Sequence, residues 1–127
     1  MIRIAVVGNI GSGKSFVAKS FGIKHVVELP NGVILILYDR IYRFDPKNHS
    51  FVAEVVATFK DLNISPPLKN GIAIHPISNK AYFGEYVCGS KKCIRIVKIS
   101  DDGQKVDICH TFKKGDIQHV HGIYWDE

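Results

Sequence analysis

A short glycine-rich segment near the start of the chain holds the residue types that bind phosphate groups. Gly8, Gly13, Lys14 and Ser15 match the pattern G-x-x-x-x-G-K-[ST], and Gly11 lies inside it. In such a loop the glycines let successive backbone N–H groups point at phosphate oxygens, the lysine reaches the outer phosphates, and the hydroxyl group can bind Mg²⁺. The segment therefore predicts a binding site for ATP or GTP with Mg²⁺, in which Ser15 is the metal ligand.

The residues on either side of this loop fit the elements that would have to position it. Residues 2–7 form an apolar run rich in β-formers, which is typical of a strand buried on both faces. Residues 15–21 can continue as one or two helical turns before Gly22. A strand, a loop and a helix start in this order would direct the partial positive charge of the helix N-terminus at the bound phosphates.

Residues 1–21 resemble the Walker A start of a P-loop small-molecule kinase, and they are most similar to the dephospho-CoA kinase and nucleoside monophosphate kinase group. The resemblance implies that the three glycines, Lys14 and Ser15 bind the nucleotide phosphates and Mg²⁺. It also implies that an active protein would be a phosphotransferase. Such a kinase needs a parallel sheet with crossover helices, and no long helical periodicity follows Gly22.

Asp39 is the candidate for the second carboxylate that a kinase metal site requires, because it follows the apolar run 33–38. A different interpretation is favoured, since residues 30–32 (Pro-Asn-Gly) are a turn signal. They predict an antiparallel hairpin made of residues 25–29 and 33–38. We therefore expect nucleotide binding as a remnant of a kinase, without the framework that catalysis needs.

From residue 23 onward the pattern of apolar runs and turn residues predicts β-structure throughout. The predicted strands are residues 25–29, 33–38, 41–44, 51–58, 72–75, 80–87, 93–99, 105–112 and 119–124. The pattern also repeats: residues 71–74 (Gly-Ile-Ala-Ile) recur as residues 122–125 (Gly-Ile-Tyr-Trp), and Pro30 corresponds to Pro76. Four short strands in a repeat of about fifty residues are typical of a propeller blade.

Residues 23–127 resemble part of a β-propeller, similar to the sialidase-type and other six- or seven-bladed families. Residues 100–103 (Ser-Asp-Asp-Gly) resemble the Asp-box turn of those families but lack one glycine and the following tryptophan. The resemblance implies blade-like units at about 23–70 and 71–118, with a third beginning at 119–127. It also implies a non-catalytic surface for protein or glycan contacts.

The predicted organisation is thus a P-loop segment over residues 1–22 followed by a mainly β, antiparallel and incomplete propeller. Two units are fewer than the four to eight blades that close a ring, so we expect a partial or fused protein. Unpaired strand edges at residues 72–87 and at the C-terminus predict self-association.

The composition of the 127-residue chain is that of a globular protein. Hydrophobic residues make up 46% and charged residues 23%, which excludes extended disorder and low-complexity classes. The net charge of +5 is too diffuse to predict nucleic-acid binding. No apolar run is long enough to cross a bilayer and no secretion signal is recognisable, so we expect a cytoplasmic protein without membrane contact.

Cysteine and histidine residues offer two further sites. Cys88 and Cys93 flank a four-residue turn, and two free, half-buried thiols are favoured there over a cross-strand disulfide. His75, His119 and His121 could together bind a metal ion at one end of the propeller. Ordinary strand histidines are the favoured interpretation of this second pattern.

Overall fold

A computed structural model describes residues 25–48, 52–89 and 93–126 of the chain. The described residues form two four-stranded antiparallel sheets and one short helix, so the prediction of a mainly β protein is confirmed. The first sheet contains β1 (His25–Glu28), β2 (Ile34–Leu37), β3 (Arg40–Phe44) and β4 (Glu54–Thr58), and helix α1 (Phe59–Leu62) follows it. The second sheet contains β5 (Ile72–Ile74), β6 (Ala81–Gly84), β7 (Ile94–Ile99) and β8 (Val106–Phe112).

The first hairpin forms because residues 30–32 supply a tight turn. The Leu29 N–H donates to the Val33 carbonyl at 2.8 Å, and the Asn31 side chain accepts the Val33 N–H at 3.0 Å. Gly32 has a φ of +88°, a conformation that glycine adopts without steric cost. β1 and β2 are antiparallel, with His25 opposite Leu37, so the predicted hairpin is confirmed.

The two sheets repeat one plan. In each, four strands that are consecutive in sequence are also neighbours in the sheet, and each pairs antiparallel with the next. In each sheet the pairing of the third strand with the fourth also has a register shift, opposite Ile41 and Tyr42 and opposite Ile96 and Val97, where the fourth strand carries one extra residue. A bulge at the same place in both sheets increases the local twist in the same way. The sequence repeat therefore corresponds to a repeated four-stranded meander.

The core lies between the two sheets. Its side chains come from one face of the first sheet, from the second sheet, and from helix α1 and the loop after it, and nearly all are completely buried. The buried core residues are Leu29, Val33, Leu35, Leu37, Ile41, Phe59, Ile64, Ala81, Phe83, Val97 and Ile99. Burying one such side chain contributes about 1.5–3 kcal/mol. Because these buried side chains come from both sheets and pack in one cluster, the two meanders stabilise each other.

The opposite face of the first sheet carries a second apolar cluster. Alternation along β2 directs Leu35 and Leu37 into the shared core and Ile34 and Ile36 into this second cluster. The other buried members are Tyr42, Phe44 and Ala53. All four residues of β2 are therefore buried, which explains why this strand reads as a continuous apolar run rather than an alternating one.

The turn between β7 and β8 joins the two sheets. Gly103 has a φ of +74°, and a Cβ atom at this position would lie 3.0 Å from Leu35 Cδ2 in the first sheet. The Asn31 side-chain amide donates to the Asp101 carbonyl at 3.1 Å, and Arg43 Nε donates to the Asp102 carbonyl at 2.7 Å. The turn that resembles an Asp box thus holds the second sheet against the first.

Two elements differ from the sequence-based prediction. Residues 119–124 form no strand, so the ninth predicted strand is wrong. They lie against the second sheet, where the Val120 side chain fills the space left by Gly84 and the Val120 N–H donates to the Glu85 carbonyl at 2.9 Å. Helix α1 was not predicted; its N-terminus is capped by the Thr58 hydroxyl, which accepts the Asp61 N–H at 2.9 Å. A single helical turn is too short to produce a periodic apolar pattern.

Candidate functional site

The predicted phosphate loop lies outside the described residues. Gly8, Gly11, Gly13, Lys14 and Ser15 all belong to the segment before residue 25, as does the predicted strand that precedes them. The structure therefore neither places these residues nor tests their assignment, and the site for Mg²⁺ with ATP or GTP stays a prediction.

Asp39 lies in the turn between β2 and β3, where two side chains from β3 engage it. The Tyr42 hydroxyl donates to Asp39 Oδ1 at 2.7 Å, and Arg40 Nε lies 3.5 Å from Asp39 Oδ2. Burial, together with the hydrogen bond to Asp39 and the charge of this carboxylate, raises the pKa of Tyr42 to about 12. These contacts give Asp39 a role in the hairpin that requires no metal ion.

A buried carboxylate ties the loop after α1 to the second sheet. Glu85, which follows β6, is only 2% exposed. Its Oε1 accepts the Ser65 N–H at 2.7 Å, its Oε2 accepts the Arg95 N–H at 2.8 Å, and the Arg95 guanidinium donates to both oxygens at 3.0 and 2.8 Å. Arg95 Nη2 also donates to the Asn63 carbonyl. We call this group, formed by Asn63, Ser65, Glu85 and Arg95, the Glu85–Arg95 clasp.

Sequence reasoning did not identify this clasp, because its members lie far apart along the chain. Glu85 fell inside the predicted strand 80–87 and Arg95 inside the strand 93–99, where their charges could belong to solvent-facing positions. The one available signal was the Glu85 carboxylate within residues 81–87, which are otherwise uncharged, since a charge buried on a strand needs a partner.

A small cavity adjoins the Glu85–Arg95 clasp. It has a volume of about 190 Å³ and is open to solvent. The lining residues are Phe59, Lys60, Asn63, Ile64, Ser65, Glu85, Val87, Cys93, Ile94 and Arg95. Ligand pockets usually enclose about 300–1,000 Å³, so this cavity is too small for a nucleotide. The Glu85 carboxylate is fully occupied by the clasp, so it is not a free general acid or base for this cavity.

Two histidines and a tyrosine meet beside the end of β6, and we call Tyr86, His119 and His121 the imidazole cluster. His119 Nδ1 lies 3.2 Å from the Val87 carbonyl oxygen, and His119 Nε2 lies 2.9 Å from His121 Nε2. The Tyr86 ring packs on both imidazoles, with centroid distances of 4.6 Å to His119 and 5.7 Å to His121. The hydrogen bond with the neighbouring Cys88 thiol raises the pKa of the Tyr86 hydroxyl.

His75 belongs to a different group. Its ring packs edge-on against Trp125 at 4.5 Å, and Trp125 in turn contacts Tyr82 at 5.1 Å. His75 Nδ1 accepts the Ser78 N–H at 3.0 Å in the turn between β5 and β6. Of the three histidines singled out in the sequence, His119 and His121 are thus brought together and His75 is not. Across residues 25–48, 52–89 and 93–126, no group of three His, Cys, Asp or Glu side chains is arranged to hold a metal ion.

The cysteines are free and exposed. Cys88 and Cys93 lie in the connection between β6 and β7, beyond the ends of both strands, and Cys109 lies on the exposed strand β8. The prediction that Cys88 and Cys93 are half-buried is therefore wrong. The reason is that β6 ends at Gly84, several residues earlier than the apolar run suggested.

Comparisons with protein-family models, with curated proteins and with solved structures find no match for this chain. A search of the described part for a helix that is both long and apolar enough to traverse a bilayer also finds none.

Proposed function

We propose that the two meanders are a non-catalytic β-propeller segment that binds other proteins through an exposed strand edge. The observation that carries this proposal is the repetition of one four-stranded antiparallel unit, with two copies packed face to face through a shared core. A fold of this kind presents strand edges and loops as contact surfaces. The Glu85–Arg95 clasp is occupied by its own hydrogen bonds and serves the fold.

Strand β8 is the edge that best fits a protein partner. It has seven residues, it forms one border of the second sheet, and its central residues are exposed. In the part of the chain that the structure describes, β8 pairs with β7 alone, so one row of backbone N–H and C=O groups faces outward. A partner strand can add to such an edge through main-chain hydrogen bonds. Ile108, which is 40% exposed, supplies an apolar contact beside that edge.

A second copy of the chain is the partner that can be tested directly. We expect the protein to self-associate with a sedimentation coefficient that rises with concentration, and Ile108→Lys to shift this equilibrium toward the monomer because lysine on an edge disfavours strand addition. The matched control is Ile77→Lys, which introduces the same charge at an apolar residue that is 86% exposed but lies in the turn between β5 and β6. Analytical ultracentrifugation measures both variants. Equal association of the two variants would refute a role for the β8 edge.

Nucleotide binding is the second candidate function, because Gly8, Gly13, Lys14 and Ser15 match every specified position of the phosphate-loop pattern, with Gly11 inside it. Titration with ATP and Mg²⁺ tests it. Wild-type protein should bind, and Lys14→Ala should lose most of the affinity because the lysine that reaches the outer phosphates is gone. Equal and weak binding of ATP by both proteins would refute nucleotide binding at this loop.

A further inference from the structure

The orientation of His119 leaves one of its ring nitrogens available to a ligand. The Val87 carbonyl oxygen can only accept a hydrogen bond, so His119 Nδ1, 3.2 Å away, carries the ring proton and donates it. In the neutral ring, Nε2 then keeps its lone pair. Histidines that bind metal ions are held in this way in proteins, with the other ring nitrogen donating to a carbonyl or carboxylate.

His121 brings a second nitrogen to the same point. The two histidines are separated by one residue, and their side chains meet. His121 Nε2 lies 2.9 Å from His119 Nε2, and the Tyr86 ring contacts both imidazole rings. Without a ligand, His121 Nε2 donates to His119 Nε2. When the ring proton of His121 moves from its Nε2 to its own Nδ1, the Nε2 atoms of both histidines carry a lone pair. The two lone pairs then point to the same position.

The spacing of the two nitrogens fits one metal ion. In tetrahedral coordination with Zn–N bonds of about 2.0–2.1 Å, two ligating nitrogens are about 3.3 Å apart. The observed separation is 2.9 Å, so small rotations of the two rings suffice. His121 is exposed and His119 half-buried, which leaves the position between them accessible to a hydrated ion.

We propose that His119 and His121 form a two-imidazole binding site for a divalent cation of the zinc type, with water completing the coordination shell. Imidazole nitrogen is a preferred ligand of Zn²⁺, Cu²⁺ and Ni²⁺, whereas Mg²⁺ and Ca²⁺ prefer oxygen ligands. The described residues provide no third His, Cys, Asp or Glu ligand already in place. The site is therefore open and exchangeable, unlike the closed four-ligand sites that hold structural zinc.

Isothermal titration with Zn²⁺ alone tests the proposal on the full chain. Cys88, Cys93 and Cys109 are first replaced by serine, because exposed thiols bind zinc themselves. This protein should still bind Zn²⁺, and His119→Ala or His121→Ala should weaken the affinity by about tenfold or more, since each removes one of the two ligands. The matched controls, His75→Ala and His110→Ala, remove described histidines outside the imidazole cluster and should leave the affinity unchanged.

A second measurement, by NMR, uses the cysteine-free protein with all of its histidines in place. A folding defect in a histidine variant therefore cannot affect its result. Zn²⁺ should shift the NMR resonances of the ring C–H groups of His119 and His121 and leave those of His75 and His110 in place. Affinity that vanishes with the cysteines would assign the binding to the thiols and overturn the proposal. So would equal affinities of His119→Ala and His75→Ala, or ring resonances of His119 and His121 that do not respond.

Discussion

At the scale of single residues, two acidic side chains of the described structure lie in opposite environments. Glu85 is buried and bonded to Arg95 and to backbone N–H groups, whereas Asp102 is exposed and organises the turn that contains it. A sequence shows that both residues are charged, but it does not show which charge is buried. Burial is decided by the loop after α1, which covers Glu85 through Ser65.

Removing the cation of the Glu85–Arg95 clasp should strongly destabilise the fold. Arg95→Met leaves the buried Glu85 carboxylate with backbone donors only, and an uncompensated buried charge costs about 3–5 kcal/mol. We expect the free energy of unfolding in urea to fall by about 3 kcal/mol. Lys98→Met, on the same strand but outside the clasp, is the control and should change it by less than about 1 kcal/mol. Similar losses in both variants would contradict the role assigned to Arg95.

Asp102 should make stability depend on pH in the acidic range. The hydrogen bond from the Ser100 hydroxyl at 2.6 Å, and then that from the Gln104 N–H at 3.0 Å, lower the pKa of Asp102 below its ordinary value of 3.8. The ionised carboxylate therefore stabilises the folded state at pH values above 3.8, and this contribution is lost as the pH falls through the lower folded-state pKa.

The variant Asp102→Asn tests this dependence. It should be less stable than wild type at pH 7, by about 1 kcal/mol or less because the group is exposed. The difference should shrink as the carboxylate of the wild type becomes protonated below about pH 4. Asp101→Asn is the control, since its backbone carbonyl rather than its carboxylate bonds Asn31. Thermal unfolding across this pH range measures all three proteins, and a pH-independent difference would count against the linkage.

At the scale of elements, turn residues made most of the fold predictable. The Pro-Asn-Gly turn at residues 30–32 and the turn at residues 100–103 both lie where the sequence indicated, and they set the hairpins β1–β2 and β7–β8.

Contacts between distant segments could not be predicted. The Glu85–Arg95 clasp and the imidazole cluster each join segments that are separated along the chain, and no local pattern encodes their meeting. Residues 119–124 alternate like a strand, but they pack on the face of the second sheet instead of pairing at its edge.

Gly103 should be required both for its backbone conformation and for the contact between the sheets. Gly103→Ala introduces a residue with a φ of +74° and a Cβ atom 3.0 Å from Leu35 Cδ2. We expect a loss of about 2–3 kcal/mol, the sum of backbone strain and overpacking. Gly115→Ala separates the two contributions, because Gly115 has a φ of +95° and nothing within 4 Å of its Cβ position. It should lose about 1 kcal/mol. Equal losses would show that the turn does not pack on Leu35.

At the scale of the whole molecule, the two meanders form one packed body. The sequence repeat predicted two similar units, and the structure adds that they share a core whose members come from both sheets. In a strand that alternates, the apolar positions indicate which face is buried. Strand β2 is buried on both faces and carries no alternation to show which face meets the second sheet. The face was therefore not predictable from periodicity alone.

The most direct test of this claim is native-state hydrogen exchange on wild type and Leu35→Val. Leu35 lies on β2 and is fully buried in the shared core, so the substitution should remove about 1 kcal/mol of stability. If the two sheets unfold as one body, the amides of β6 and β7 in the second sheet should lose as much protection as those of β2. Loss of protection confined to the first sheet would contradict the account.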